Sequence, residues 1–417
     1  MSTRTNRHFL SLLLLLLAIL PLAAQTPSTN VSAGRGANRG LSFGPPPVRS
    51  PEVSDDKRVT FRLRAPNARD IVVTGITGQP IAMQKNDEGV WSATTEPLKP
   101  DLYEYAFIVD GLSIVDPANT RFRPSYQRVR SSAVLVPGDM PWTPLSNVPR
   151  GAISRHTFRS ALANDERDFF VYTPPNYDPN RKRPYPVLYL LHGLGDDAKA
   201  WLEVGAANVI LDTLINQGKA EPMIMVNPLG YGNADGPAGH RREDMLPTFN
   251  RILIEEVMPQ VERQFNASRN RKDRAVAGLS MGGAEATLTG LNHLDKFAWI
   301  GSFSGAYNLW PLTRPSEQRE TTRDASPGRD GGRGRLVLEE SQLPKTFPQF
   351  DKSSNPKTRL LWITCGTSDV LIGVNRQFKT YLDSKGVKAT YTEIPDAGHV
   401  WPLWRQNLAD FAPLLFK

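Results

Sequence analysis

The chain has 417 residues, of which 40% are apolar, with a formal charge of +8 and one cysteine. That length is enough for two folded bodies and a large core, while the single thiol excludes an internal disulfide and leaves stability to packing. The basic residues are spread along the chain, so the charge excess forms no concentrated footprint for nucleic acid or a membrane.

Residues 1–24 combine Arg4 and Arg7 with an apolar stretch from Phe9 to Leu20 and end on Ala23 and Ala24. This is the pattern of a secretory signal, too short for a comfortable membrane span. Cleavage near Ala24 and a secreted or periplasmic location are expected; an uncleaved N-terminal anchor is the alternative. Residues 25–57 are rich in Gly, Pro, Ser, Asn and Arg without periodicity and read as a flexible tether.

Across 58–138 the texture changes to short alternating strands at 59–63, 71–73, 90–93, 102–109 and 132–136, parted by turn formers such as Asp87-Glu88-Gly89 and Asp110-Gly111. Strands of this length and spacing predict a small all-β sandwich. Trp91, Tyr103 and Tyr105 suit its core and edge. Pro141, Pro144 and Pro149 mark 139–150 as a stiff linker and a domain boundary.

Residues 151–417 alternate apolar strands (169–173, 187–191, 223–226, 274–279, 299–304, 360–365 and 389–394) with helical patterns (206–217, 252–265, 283–294, 374–384 and 404–415). This predicts a doubly wound, mostly parallel sheet covered on both faces, with function at the carboxyl ends of its strands. Segment 313–335 interrupts the alternation with six arginines among Glu, Asp, Ser, Pro and Gly. It reads as a solvated insertion on the active-site side, with a mobile lid as the alternative.

Between the fourth of those strands and its helix stands Gly278-Leu279-Ser280-Met281-Gly282-Gly283. This G-x-S-x-G pattern is a nucleophile elbow, whose glycines relieve crowding at a sharp turn and can supply positive φ. A serine hydroxyl needs a base, an acid to orient that base, and donors for the oxyanion. In an α/β hydrolase these follow the serine in the order acid, then histidine. His293 lies more than three helical turns from Ser280, which leaves His399, directly after the last strand. Asp369, in the equivalent loop one strand earlier, is the candidate acid, and Asp396 is its rival. The N–H of Met281, and that of Leu194 in His192-Gly193-Leu194-Gly195, are the candidate oxyanion donors. His192 reads as a brace for that loop and Cys365 as a buried thiol. Trp201, Trp310 and Trp401 follow functional loops, where they either stack on a substrate or pack at helix starts. Nothing in the sequence calls for a metal or organic cofactor.

Two resemblances sharpen these expectations. The strand ending in Arg64-Ala65-Pro66, Gly89-Val90-Trp91, Tyr103-Glu104-Tyr105 and Asp110-Gly111 before Asp116-Pro117 make 58–138 similar to the early-set immunoglobulin-like modules grouped as carbohydrate-binding family 48. The motifs Tyr189-Leu190-Leu191-His192-Gly193, Ala277 to Gly283, Cys365-Gly366-Thr367-Ser368-Asp369 and Ala397-Gly398-His399-Val400-Trp401, with Trp404, resemble carbohydrate esterase family 1 of the esterase-D type. That resemblance implies an α/β hydrolase preceded by an immunoglobulin-like sandwich, acting as a secreted serine esterase on feruloyl or acetyl esters of plant cell-wall xylan. Segment 313–335 and the loop 230–243 depart from the family pattern near the cleft. A siderophore trilactone esterase and a non-catalytic carbohydrate-binding protein on the same scaffold are the rival readings.

Overall fold

Apolar runs of five to seven residues fold here as strands covered on both faces, which is what a parallel sheet demands. The computed structural model describes residues 47–126, 129–232, 242–310, 338–348 and 350–417. The expected signal, most of the expected tether, segment 313–335 and most of the loop 230–243 lie outside the described residues.

The first nine strands are β1 (Glu52–Val53), β2 (Val59–Arg64), β3 (Ile71–Thr74), β4 (Ile81–Ala82), β5 (Gln84–Lys85), β6 (Val90–Thr94), β7 (Asp101–Val109), β8 (Leu112–Ile114) and β9 (Ser132–Val136). They form one sheet in the order β1-β2-β6-β5 and a second in the order β4-β3-β7-β8, with β9 also paired to β7. Alternation points one side of each strand inward, so Phe61 of β2 meets Tyr105 of β7 across the gap with ring centres 4.6 Å apart. Trp91 is buried there and donates its indole N–H to Ala65 O. The end of the expected tether is ordered, because β1 pairs with β2.

The remaining strands are β10 (Ala152–Ser160), β11 (Asp165–Thr173), β12 (Val187–Leu191), β13 (Ile224–Pro228), β14 (Arg274–Leu279), β15 (Trp299–Phe303), β16 (Leu360–Gly366) and β17 (Thr390–Ile394). They form one sheet in the order β10-β11-β13-β12-β14-β15-β16-β17, parallel from β13 to β17 and antiparallel at the β10 and β11 edge. The helices are α1 (Ala200–Glu203), α2 (Ala207–Asn216), α3 (Arg242–Arg251), α4 (Met258–Gln264), α5 (Met281–Asn292), α6 (Leu343–Thr346), α7 (Ile372–Ser384) and α8 (Trp401–Phe411). Two apolar clusters form, one joining β12 and β14 to α5 and α7, the other joining them to α2 and α8. Among the described residues no helix is long and apolar enough to cross a membrane.

The stretch 139–150 is a packed connection. Trp142 is buried in the α2 and α8 cluster and donates its indole N–H to Asp101 Oδ1 at 2.9 Å. The fully buried Arg405 of α8 reaches the same carboxylate at 2.6 Å and donates to Val204 O at 2.7 Å. A guanidinium taken out of water needs such partners. The all-β strands keep an apolar cluster of their own, but Leu102 and Ala133 join the α2 and α8 cluster beside these bonds, and Pro47–Lys417 make one compact unit.

Candidate active site

The elbow between β14 and α5 turns on Ser280 itself, at φ 52° and ψ −115°. The positive φ that the sequence assigns to the glycines falls on the serine, and the glycines are needed for space. A Cβ on Gly278 would stand 2.5 Å from Gly282 O, and one on Gly282 would stand 2.5 Å from both Leu191 O and His192 O. Backbone strain of this kind, about 1–3 kcal/mol, persists only where the surroundings impose it. Here Ser280 N–H donates to Phe303 O at 2.9 Å, while Ser280 O accepts from Ala284 N–H at 3.1 Å and Ala306 N–H at 2.9 Å.

Three loops converge on the serine. His399, between β17 and α8, places Nε2 3.0 Å from Ser280 Oγ. Its Nδ1 lies 3.0 and 2.9 Å from the two carboxylate oxygens of Asp369, in the loop after β16. Asp369 is almost fully buried. Burial alone would raise its pKa, but hydrogen bonds from His399, the imidazole charge, Leu371 N–H and the Ser304 hydroxyl more than offset this and hold the carboxyl below its usual value. Asp396 is turned outward at φ 57°, its N–H bonded to Thr367 Oγ1, so the geometry joins Asp369 to His399 and leaves the rival outside. His293 contacts Asn250 instead.

The third loop follows β12. A Cβ on Gly193 would lie 3.5 Å from Ser280 Cβ, so this loop borders the elbow. His192 is buried at its base. Its Nε2 accepts from Gly230 N–H at 2.8 Å, so its Nδ1 carries the proton and donates to Gly193 O at 2.8 Å. Burial pushes its pKa down and keeps the ring neutral. Neither Leu194 N–H nor Met281 N–H is engaged by a partner among the described residues, which leaves both donors available to a ligand oxygen.

The aromatic candidates separate. Trp401 lines the cleft beside Ser280 and His399. Trp201 is buried beneath it, edge-on at 5.2 Å, with its indole N–H donated to Leu191 O, and is a packing residue. Trp310 is likewise a core residue, stacked on Tyr307 at 4.7 Å and set against Phe347 and Phe378. Cys365 is buried, and burial pushes its thiol well up. Among the described residues no group of three or more His, Cys, Asp or Glu side chains is arranged to hold a metal ion.

The cleft, of about 430 Å³, is shared by both halves of the chain: Leu102, Tyr103, Glu104 and Arg123 face Leu194, Ser280, His399 and Trp401 across it. Sequence reading missed this wall, because no local pattern reports which surface a sandwich presents to a partner. It also missed Ser304, buried at φ 52° beside Asp369 with its Oγ accepting from Trp404 Nε1 at 3.2 Å.

A mostly parallel sheet in this strand order, with a serine on the strand-to-helix elbow and a histidine and an aspartate on later loops, defines an α/β hydrolase. Residues 160–415 match the family described as Putative esterase, and the chain belongs to that family. It is 27% identical over 373 residues to an endo-1,4-beta-xylanase/feruloyl esterase of Xylanibacter ruminicola, covering 88% of this chain and 46% of that protein. It is 25% identical over 229 residues to an acetyl esterase of Caldicellulosiruptor saccharolyticus, covering 54% of this chain and 80% of that one. The chain therefore spans less than half the length of the xylanase-type relatives it matches. Among solved structures, a CE1 ferulic acid esterase of Anaeromyces mucronatus aligns at TM-score 0.52 and 24% identity over 67% of this chain and 96% of that one. The enterochelin esterase of Shigella flexneri aligns at TM-score 0.59 and 18% identity over 87% and 93%. At those identities the likeness establishes the fold.

Proposed function

We propose that the protein is a secreted serine carboxylic-ester hydrolase that releases feruloyl or acetyl groups from xylan-type polysaccharide through an acyl-enzyme. The observation that carries this reading is the unbroken line of hydrogen-bond distances from Asp369 through His399 to Ser280. His399 takes the Ser280 proton as Oγ attacks the ester carbonyl, and Asp369 orients the imidazole and stabilises its charged form. The carbonyl oxygen, now negative, is received by the N–H groups of Leu194 and Met281 at the start of α5, where the helix dipole favours negative charge. Proton return from His399 to the departing sugar oxygen leaves the acyl group on Ser280, and water repeats the sequence to release the acid.

The surroundings support an apolar acyl group. Leu194, Val370 and Val400 are exposed, and each lies in one of the three loops that meet at Ser280. With Trp401 and Tyr103 in the cleft wall, there is apolar surface for an aromatic ring. A polar groove lined by Thr74, Ser113, Arg130 and Ser131 runs on from the cleft and offers hydroxyl-binding groups for the sugar side. The all-β region, read as a family 48-like immunoglobulin-like module, would then be a wall of the substrate site.

The test is hydrolysis of methyl ferulate, acetylated xylan and a catecholate trilactone by the mature chain, with Ser280→Ala in parallel. Release of ferulate or acetate that stops in the variant is expected. Hydrolysis that survives the loss of Ser280 would overturn the mechanism, and preferential trilactone turnover would overturn the substrate assignment.

A further inference from the structure

The turn that carries Leu194 N–H is held from outside the hydrolase sheet. Gly193 to Asp196 closes on itself through Asp196 N–H to Gly193 O at 3.2 Å, with Gly195 at φ +90°. From below, Gly195 N–H donates to Tyr231 Oη at 2.7 Å and Tyr231 O–H donates to Asp196 O at 3.0 Å. From the all-β side, Tyr126 N–H donates to Gly195 O at 3.2 Å.

The strongest hold is ionic. Arg123 Nε and Nη2 both donate to Asp196 Oδ1, at 2.8 and 2.7 Å. Its Nη1 lies 3.3 Å from Glu104 Oε2, which also accepts from the Ser131 hydroxyl at 3.0 Å. Arg123 N–H bonded to Ser131 O fixes the backbone beneath it. Asp196 is 1% exposed, and its Oδ2 has no partner among the described residues. Burial pushes its carboxyl up to about 6 against the pull of Arg123. Without the guanidinium the buried carboxyl loses its counter-charge and both donors on Oδ1, a state relieved by taking up a proton or by swinging to water, and either way the turn loses its anchor.

We propose that Arg123 is a positioning residue of the oxyanion hole: by anchoring Asp196 it fixes Leu194 N–H where the developing oxyanion needs it. The all-β region is thereby part of the catalytic apparatus as well as a wall of the cleft. This rests on the serine-hydrolase reading above.

The test uses the full chain and p-nitrophenyl acetate, an ester too small to span the polar groove. Arg123→Ala should lower kcat at least 10-fold, approaching the roughly 10²-fold loss that follows removal of one oxyanion donor, with KM within about twofold. Labelling by a fluorophosphonate, whose phosphoryl oxygen enters the same hole, should slow in proportion. Arg123→Lys should recover part of the loss. In an Asp196→Asn background, where no buried charge remains, Arg123→Ala should cost much less, and this pair carries the test if the single variant does not fold. Wild-type kcat for Arg123→Ala beside an inactive Ser280→Ala would overturn this inference alone. So would a defect confined to KM for xylo-oligosaccharide esters, which would make Arg123 a sugar contact. An active Ser280→Ala would overturn the serine reading and this inference with it.

Discussion

The indole of Trp404 stands edge-on to the imidazole of His399, with ring centres 4.8 Å apart and planes at 84°. The same indole N–H donates to Ser304 Oγ, and the Ser304 hydroxyl helps hold Asp369 as an anion. One side chain at the start of α8 thus braces the candidate base directly and the candidate acid through a serine. Trp404→Leu removes both contacts, and a displaced imidazole should lower kcat by about 10²-fold with little change in KM. Trp404→Phe keeps an edge contact and should lose less. Steady-state kinetics on methyl ferulate at fixed pH distinguish the two, and equal losses would show that packing against His399 is not what matters.

The choice between carboxylates has its own prediction. Asp369→Asn keeps the shape of the site but holds the imidazole in the wrong tautomer, so kcat should fall by about 10⁴-fold. Asp396→Asn alters an exposed turn residue and should stay within about twofold of wild type, in line with surface changes elsewhere. Because Asp369 is held below the usual carboxylate range, its titration should not shape the pH–rate profile above about pH 5. An acid limb that disappears in the Asp369→Asn variant would contradict that assignment.

Much of the large sheet was legible because burial on both faces writes itself into sequence: 187–191 are apolar throughout, 275–279 are apolar after Arg274, and the two runs appear as β12 and β14. The grouping of Ser280, His399 and Asp369 as candidate residues was legible because an elbow, a histidine after the last strand and an aspartate one strand earlier leave few combinations. β10 was not, since its inner positions are Ser154, His156, Phe158 and Ser160 while Ile153 is exposed beside Arg155, Thr157 and Arg159, so its apolar residues do not mark the covered face. Arg405 and Trp142 were silent for a different reason. Their partners lie 304 and 41 residues away in the chain, and a buried guanidinium inside an amphipathic helix looks from sequence like a surface charge. The same long-range character hid Arg123 and Asp196, which are 73 residues apart.

The two tryptophans at the foot of the cleft should separate by experiment. Trp201 lies beneath the cleft wall with its indole N–H satisfied, so Trp201→Ala should destabilise by about 3–5 kcal/mol in denaturant unfolding. KM of the surviving folded enzyme should be little altered. Trp401 also packs, but its ring lines the cleft, so Trp401→Ala should raise KM for methyl ferulate more than for p-nitrophenyl acetate. Equal changes for both esters would remove Trp401 from acyl recognition.

Glu285 lies on α5, one turn beyond the elbow, completely buried, with no partner for either carboxylate oxygen among the described residues. Burial alone raises its pKa well above the usual value. A group whose folded pKa is raised contributes stability that is fully present below its unfolded pKa, about 4.3, and is lost as pH rises toward the folded value. Across that window the loss approaches one proton's worth, about 1.4 kcal/mol per pH unit. Glu285→Met fills similar space without an ionisable group. The variant should match or fall slightly below wild type near pH 4.5, gain on it as pH rises above that, and show a flatter dependence of unfolding free energy on pH. Urea unfolding at half-unit steps measures this directly, and parallel curves for the two proteins would mean that Glu285 finds a counter-charge or water in solution.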